Sequence, residues 1–271
     1  MGIQKHIGKC KLCGQIKEMT FEHVPPRVAF NKTTKHKSIT MDEYSKIESP
    51  LAFKPTGKTL QGGIGYYALC SDCNSFLGRN YVRSYENWVK SGFEVFTYGN
   101  SDYYKYITLN QTPLKILKQI ISMFIVINDD WFIDEYPELV KFVNEPNSNL
   151  LPDKFKVFVY LNNEGQFRYC RHSTISSPEQ GILNCSELTF PPFGYVMTFE
   201  YKGEITRMLN ITDFKNLSPE TTGSMSIGLH RLPTFLPFPP LDYRSNEEIE
   251  AGIKANNAIR DRINNPDSAH T

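Results

Sequence analysis

The sequence predicts an α+β protein in which a cysteine-framed amino-terminal module is fused to a mixed body with an apolar helix and an antiparallel sheet. Three observations carry this prediction. Cys10-Lys11-Leu12-Cys13 and Cys70-Ser71-Asp72-Cys73 are two Cys-x-x-Cys pairs, each able to offer two thiolates to one tetrahedral zinc ion. Leu114, Leu117, Ile121, Phe124 and Ile125 form an apolar stripe at helical spacing. After Pro152 the pattern changes to period two, the spacing of strands. Residues 1–94 are therefore read as the module and residues 95–271 as the body.

In the module, residues 8–20 read as a hairpin knuckle, with Cys13-Gly14 as its tight turn. Met19 to Val24 is a short strand stopped by Pro25-Pro26, which places His23 near its end. Residues 31–63 are long for a loop and broken by Ser49-Pro50 and Lys54-Pro55; they read as an insertion with structure of its own or as a flap. A glycine-rich turn and a strand then deliver Cys70, and Ser71 or Asp72 caps a helix with Asn74 in its first turn. Gly78 weakens that helix, and a further one is expected near residues 80–90.

The body begins with a helix at Thr112-Pro113, threonine as cap and proline in the first turn. Its Lys115, Lys118 and Gln119 exclude a membrane span, and a second helix is expected near residues 134–143. Residues 156–161 and 166–170 flank an Asn-Asn-Glu-Gly turn and read as a hairpin. Strands are expected at 194–201, 204–211 and 224–229, then a proline-punctuated run from Pro233 to Pro240. A polar helix at 246–264 and a frayed end complete the chain.

No stretch of the sequence has the length and apolarity of a membrane span. The first residues lack the apolar region of a secretory signal, and His6 stands where a myristoylation motif needs Ser or Thr. A cytoplasmic protein is expected, in which paired cysteines favour metal over disulfides. Residues 1–90 carry 14 Lys/Arg against 7 Asp/Glu, a charge of +7, while the remainder carries 16 against 22, a charge of −6. A basic head on an acidic body suits contact with nucleic acid; the plain alternative is that Lys32, Lys35 and Lys37 belong to a solvated loop.

Taken together, Cys10-x-x-Cys13, Glu22-His23-Val24-Pro25 and Leu69-Cys70-x-x-Cys73-Asn74 resemble the HNH (ββα-metal, His-Me finger) endonuclease family in its zinc-bearing treble-clef form. The resemblance covers under a third of the chain, and the body resembles nothing whose function carries over. It implies a β-hairpin followed by a helix, with Cys10, Cys13, Cys70 and Cys73 holding a structural Zn²⁺. It implies that His23 is the general base acting on water, and that Glu22 and Asn74 bind a separate Mg²⁺ or Mn²⁺. The implied reaction is phosphodiester hydrolysis leaving a 5′-phosphate, on DNA rather than RNA, in a setting such as bacterial defence. Arg27, Lys32, Lys35, Arg79 and Arg83 are the candidate nucleic-acid contacts. The body is then expected to shape substrate choice, form a homodimer or contact a protein partner.

The chain departs from the family in three places. The family's Asn a few positions before the third cysteine, which helps hold the histidine, is Gly65 here. Glu22 replaces the commoner Asp, and the segment from Cys13 to Cys70 is longer than a minimal core needs. The alternative is a non-catalytic zinc module that binds nucleic acid or protein. Tyr81, Tyr85 and Trp88 read as core packing, His36 as exposed in the basic loop, and Cys170, His172 and Cys185 as buried side chains rather than a second metal site.

Overall fold

The computed structural model describes residues 5–47, 50–51, 57–177 and 181–264. Ser49, Lys54 and Pro55, and the chain from residue 265 on, lie outside these residues. Helices and antiparallel strands mix in one chain, giving the α+β class. β1 (Ile7–Lys9), β2 (Ile16–His23) and β3 (Gly65–Cys70) form a three-stranded antiparallel sheet in that order. The knuckle between β1 and β2 closes through Gly14 N–H donating to the Cys10 carbonyl, with Gly14 at a φ of 71° that its missing Cβ permits. Register places Glu22 opposite Tyr66 and His23 opposite Gly65.

The long connection between β2 and β3 opens with a π-type turn at Arg27–Asn31 and carries a short helix, α1 (Met41–Ser45), started by a capping box of Thr40 and Glu43. From Cys70 the chain turns straight into α2 (Ser71–Leu77) and continues through a wide π-type turn at Gly78–Val82 into α3 (Arg83–Val95). The two helices expected on either side of Gly78 are one continuous helical run, because Gly78 itself keeps helical angles (φ −54°, ψ −47°).

The body opens with β4 (Tyr103–Gln111), a strand the sequence pattern did not mark, and α4 (Pro113–Ile127). Every α4 residue except Lys115 is buried, including Lys118 and Gln119, which the sequence reading took as polar positions. Pro113 starts the helix as expected, but the Thr112 hydroxyl donates to Ser84 instead of capping it. The single helix expected near 134–143 is two, α5 (Asp130–Glu135) and α6 (Pro137–Asn144). Pro137 holds Tyr136 out of helical geometry between them.

β5 (Phe155–Leu161), β6 (Arg168–Ser177), β7 (Gly181–Phe190), β8 (Phe193–Phe199) and β9 (Leu209–Asn210) form a five-stranded sheet in the order β6-β7-β8-β5-β9. The hairpin expected between residues 156–161 and 166–170 is therefore not made: β5 pairs with β8 and β9, and β6 pairs with β7. The strand expected at 204–211 shrinks to β9. β10 (Gly223–His230) returns to pair with β4, and α7 (Asn246–Asn264) closes the chain where the sequence placed it.

One buried cluster runs from Cys10, Leu12 and Met19 through Trp88 and α4 to Val159, Met197 and Leu229, so module and body share a core. Phe158 and Tyr160 face a second cluster with Leu183 and Val196, which buries β5 on both sides. Arg168 and Glu187 form an ion pair with both side chains fully buried. Tyr160, Tyr243 and the Leu241 N–H donate to the Glu187 carboxylate, and Arg168 donates to the Leu236 and Asp242 carbonyls. This satisfied network pins the proline-rich run against β6 and β7. Among the described residues no helix is long and apolar enough to cross a membrane.

Candidate functional site

Cys10 and Cys13 come from the knuckle, Cys70 from the end of β3 and Cys73 from the first turn of α2. Their four sulfurs lie within 4.8 Å of one another, and the Cys13 and Cys70 sulfurs are 3.9 Å apart. A tetrahedron of Zn–S bonds of about 2.3 Å has edges of about 3.8 Å, so the spacing and the donor set both fit zinc. Burial pushes the Cys10 thiol up, but backbone amides of Cys13, Cys70 and Leu12 directed at its sulfur outweigh burial and bring it down to about 7. Cys13 and Cys73 are raised, by burial first and by their neighbouring thiols next. Four thiols in one place cannot all ionise unaided; a divalent cation removes that penalty.

The knuckle is seated on the body. Lys11 Nζ donates to the Val126 and Asn128 carbonyls at the end of α4, where a cation also complements the helix dipole. Asn144 donates to the Leu12 carbonyl at 2.8 Å.

Three and four residues beyond Met19, which pairs with Cys70, β2 presents the acid-histidine pair Glu22 and His23. The β2–β3 register shifts between Thr20 and Phe21; beyond it side chains alternate, so Phe21 and His23 share one face and Glu22 takes the other. The Phe21 and His23 rings meet edge-on at 5.0 Å. Glu22 is only 7% exposed, and among the described residues no donor or cation reaches its carboxylate. Burial alone pushes it up to about 7. A largely buried carboxylate without a protein partner carries a desolvation cost, and a cation reduces that cost.

Asn74 reaches the same strand from α2. Its Nδ2 donates to the Thr20 hydroxyl at 3.0 Å, and that hydroxyl donates to the Leu69 carbonyl. The chain of donors fixes the amide orientation and leaves Asn74 Oδ1 free to accept. His23 projects from the strand face opposite Glu22, its Nε2 2.9 Å from the Gly62 carbonyl oxygen.

Comparison with known families, with curated proteins and with solved structures finds no match to this chain. The site is therefore read from its own geometry.

That geometry includes a residue the sequence analysis did not single out. Asn31 is fully buried in the connection after β2. Its Nδ2 donates to the Pro25 and Ile64 carbonyls at 2.7 and 2.8 Å, and its Oδ1 accepts from Ile64 N–H at 2.9 Å. An asparagine amide thus spans the loop that ends in Gly62 and Gly63, although Gly65 occupies the position where one was sought. Its partners lie up to 33 residues away in sequence, and no local pattern marks such a clamp. Tyr169 of β6 adds a support from the body, donating to the Val24 carbonyl at 2.7 Å.

The candidate phosphate contacts are spread over two surfaces. Arg27, Lys32 and Lys35 are exposed on the connection after β2. Arg79 and Arg83 are exposed on the helical run, but the wide turn at Gly78–Val82 separates them from ordinary helical stacking. Arg83 pairs with Glu86 at 2.8 Å, a surface ion pair that competes with a phosphate role. His36, expected in the open, is half-buried: its backbone pairs with Leu60, its Nδ1 is buried without a partner, and burial lowers its pKa. In the body, Cys170 donates to the Phe238 carbonyl, and burial pushes the Cys170 thiol up to about 12 and the Cys185 thiol up as well. Tyr81, Tyr85 and Trp88 are core residues.

Proposed function

We propose that this chain is a metal-dependent HNH-type endonuclease with a zinc-bearing treble-clef module, acting on DNA in preference to RNA. The observation that carries the reading is the unpartnered side chain of Glu22, 7% exposed beside His23, on the strand that Asn74 reaches through Thr20. Cys10, Cys13, Cys70 and Cys73 would hold zinc and fix the start of α2, and with it Asn74. Glu22 and Asn74 would hold Mg²⁺ or Mn²⁺, which supplies positive charge for the phosphate oxygens and the leaving 3′ oxygen. His23, with its proton on Nε2, offers Nδ1 as the base that removes a proton from the attacking water. Exposed Arg27, Lys32, Lys35 and Arg79 supply charge along the approach of a phosphate backbone.

A second reading keeps the zinc and drops the chemistry. It draws on the alternation of β2, which sends Glu22 and His23 from opposite faces, and on the exposed aromatic surface of Phe21 and Tyr67 beside His23. A base-stacking surface of that kind serves a binding module.

Plasmid nicking by the wild-type chain and His23→Ala, with Mg²⁺, with Mn²⁺ and without added metal, separates the two. The nuclease requires metal-dependent nicking that His23→Ala loses while zinc content and Tm stay unchanged. Equal nicking by both chains removes His23 from the role. Retained DNA binding with no nicking under any metal selects the binding module.

A further inference from the structure

A cleft of about 710 Å³ separates the connection after β2 from the body, and the proposed chemistry makes no use of it. Residues 35–39 and 64–66 wall one side, and residues 166–171 and 237–238 the other. Gly65 and Tyr66 are the ladder partners of His23 and Glu22, so the cleft begins beside the candidate reacting residues.

Its charge has one sign. Lys35, Lys37 and Arg171 line it, and no Asp or Glu does among the described residues. Two other clefts of the body set acids beside their arginines: Asp242 and Glu248 with Arg207 and Arg244 in one, Asp102, Glu164 and Glu247 with Arg231 in the other. Aromatic surface accompanies the charge. Phe167 stacks on Phe190 with ring centroids 5.0 Å apart and is still 38% exposed. Arg171 pairs with the exposed Asp129, a surface contact that a phosphate can replace.

We propose that this cleft binds one nucleotide unit, with Lys35 and Arg171 on its phosphate and the Phe167 ring against its base. The volume falls in the range that encloses small ligands. Guanidinium and ammonium groups answer the phosphate, and an aromatic face answers any base. A base offers its face only when unstacked, so the nucleotide comes from a single strand or arrives free, not within a duplex. The assignment stands apart from the nuclease reading, since binding needs neither His23 nor a divalent ion.

The test uses the full chain carrying His23→Ala, without added divalent metal, and fluorescence anisotropy of labelled six-residue oligothymidine with AMP as competitor. Phe167→Ala should weaken the oligonucleotide about 5- to 150-fold. Lys35→Ala combined with Arg171→Ala should weaken it at least about tenfold and flatten its salt dependence. Lys105→Ala, an exposed lysine on β4 that does not line the cleft, should leave it unchanged, and zinc content and Tm should hold in every variant. Displacement by AMP identifies a free-nucleotide site; tight oligonucleotide binding that AMP does not displace identifies a strand site. Undiminished affinity in both cleft variants, or no binding of either probe, overturns the assignment.

Discussion

His23 Nε2 lies 2.9 Å from the carbonyl oxygen of Gly62. A carbonyl oxygen only accepts, so Nε2 carries a proton and, in the neutral ring, Nδ1 is the acceptor. The loop that sets this tautomer also sets the ring's place. At Gly63, φ is +98°, and a Cβ would fall 2.1 Å from the Asn31 carbonyl oxygen and 2.7 Å from His23 Cδ2. Neither the backbone conformation nor the space admits a side chain. Gly63→Ala should therefore displace the imidazole and cost about 100-fold in nicking, the penalty of an ångström-scale misplacement. Zinc content should be unchanged, because the loop touches none of the cysteines. Wild-type nicking in Gly63→Ala would show that the ring does not depend on this loop.

Asn31→Ala probes the same loop from inside. The variant leaves the Ile64 N–H and the Pro25 carbonyl without their partner in a buried site. Each orphaned group costs about 1–3 kcal/mol, so a loss of about 2–4 kcal/mol is expected in chemical denaturation. Under the proposed nuclease reading, nicking should fall with it while metal content at the four cysteines is unchanged. A change under about 0.5 kcal/mol, the range of ordinary surface substitutions, would mean that water replaces the amide.

The contrast between Asn31 and the cysteines explains what the sequence reveals. Two Cys-x-x-Cys pairs state their chemistry within four residues each, and the fold brings all four sulfurs together. α7 begins at Asn246, where the sequence placed it, because its polar helical stretch needs no distant partner. Asn31 is one polar residue in a basic connection, and its importance arises only when Ile64 arrives beside it. The same distinction misplaced β5. Its period marks a strand, but nothing in Val157 to Leu161 says that β8 and not β6 lies alongside. Burial of Lys118 was equally hidden, since its acceptors sit on another helix.

Glu22→Gln separates function from stability. The wild-type carboxylate is buried with no donor or cation near it among the described residues, whereas an amide of the same shape carries no charge to desolvate. Without divalent metal, Glu22→Gln should be as stable as the wild type or more stable, by about 1–3 kcal/mol. With Mg²⁺ or Mn²⁺ the wild type should gain stability that the variant lacks, since an ion that binds only the folded chain stabilises it. Thermal unfolding of both chains with and without each ion reads all four states. Equal ion-induced shifts in the two chains would remove Glu22 from the ligand set.

Cys73→Ser should act on more than the module. Structural zinc contributes folding free energy directly, and a three-thiol site holds it far less well. Lys11 and Asn144 tie the knuckle to α4 and α6, and Cys10, Leu12 and Met19 belong to the cluster that includes α4. Loss of zinc should therefore lower the Tm of the whole chain in one transition. Calorimetry with zinc analysis checks this. A body transition left at its original temperature would mean that the shared core does not couple the two parts.

Lys118 gives the chain a pH dependence of known sign. Its ammonium is fully buried in α4, donating to the Phe142 and Glu145 carbonyls and lying 3.7 Å from the Phe142 ring centroid. Burial lowers its pKa from 10.5 to about 8, against a smaller opposing pull from Glu145. Between these values the unfolded chain holds a proton that the folded chain has released, so stability rises with pH from about 8 to about 10.5. The full span corresponds to about 3 kcal/mol, an order-of-magnitude figure. Thiols and tyrosines titrate in the same range, so the quantity to read is the difference between wild type and Lys118→Met. Urea denaturation across pH 8 to 10.5 should show a rise in the wild type steeper by about 3 kcal/mol overall than in the variant. Parallel curves would place the Lys118 pKa near its ordinary value and the ammonium in contact with water.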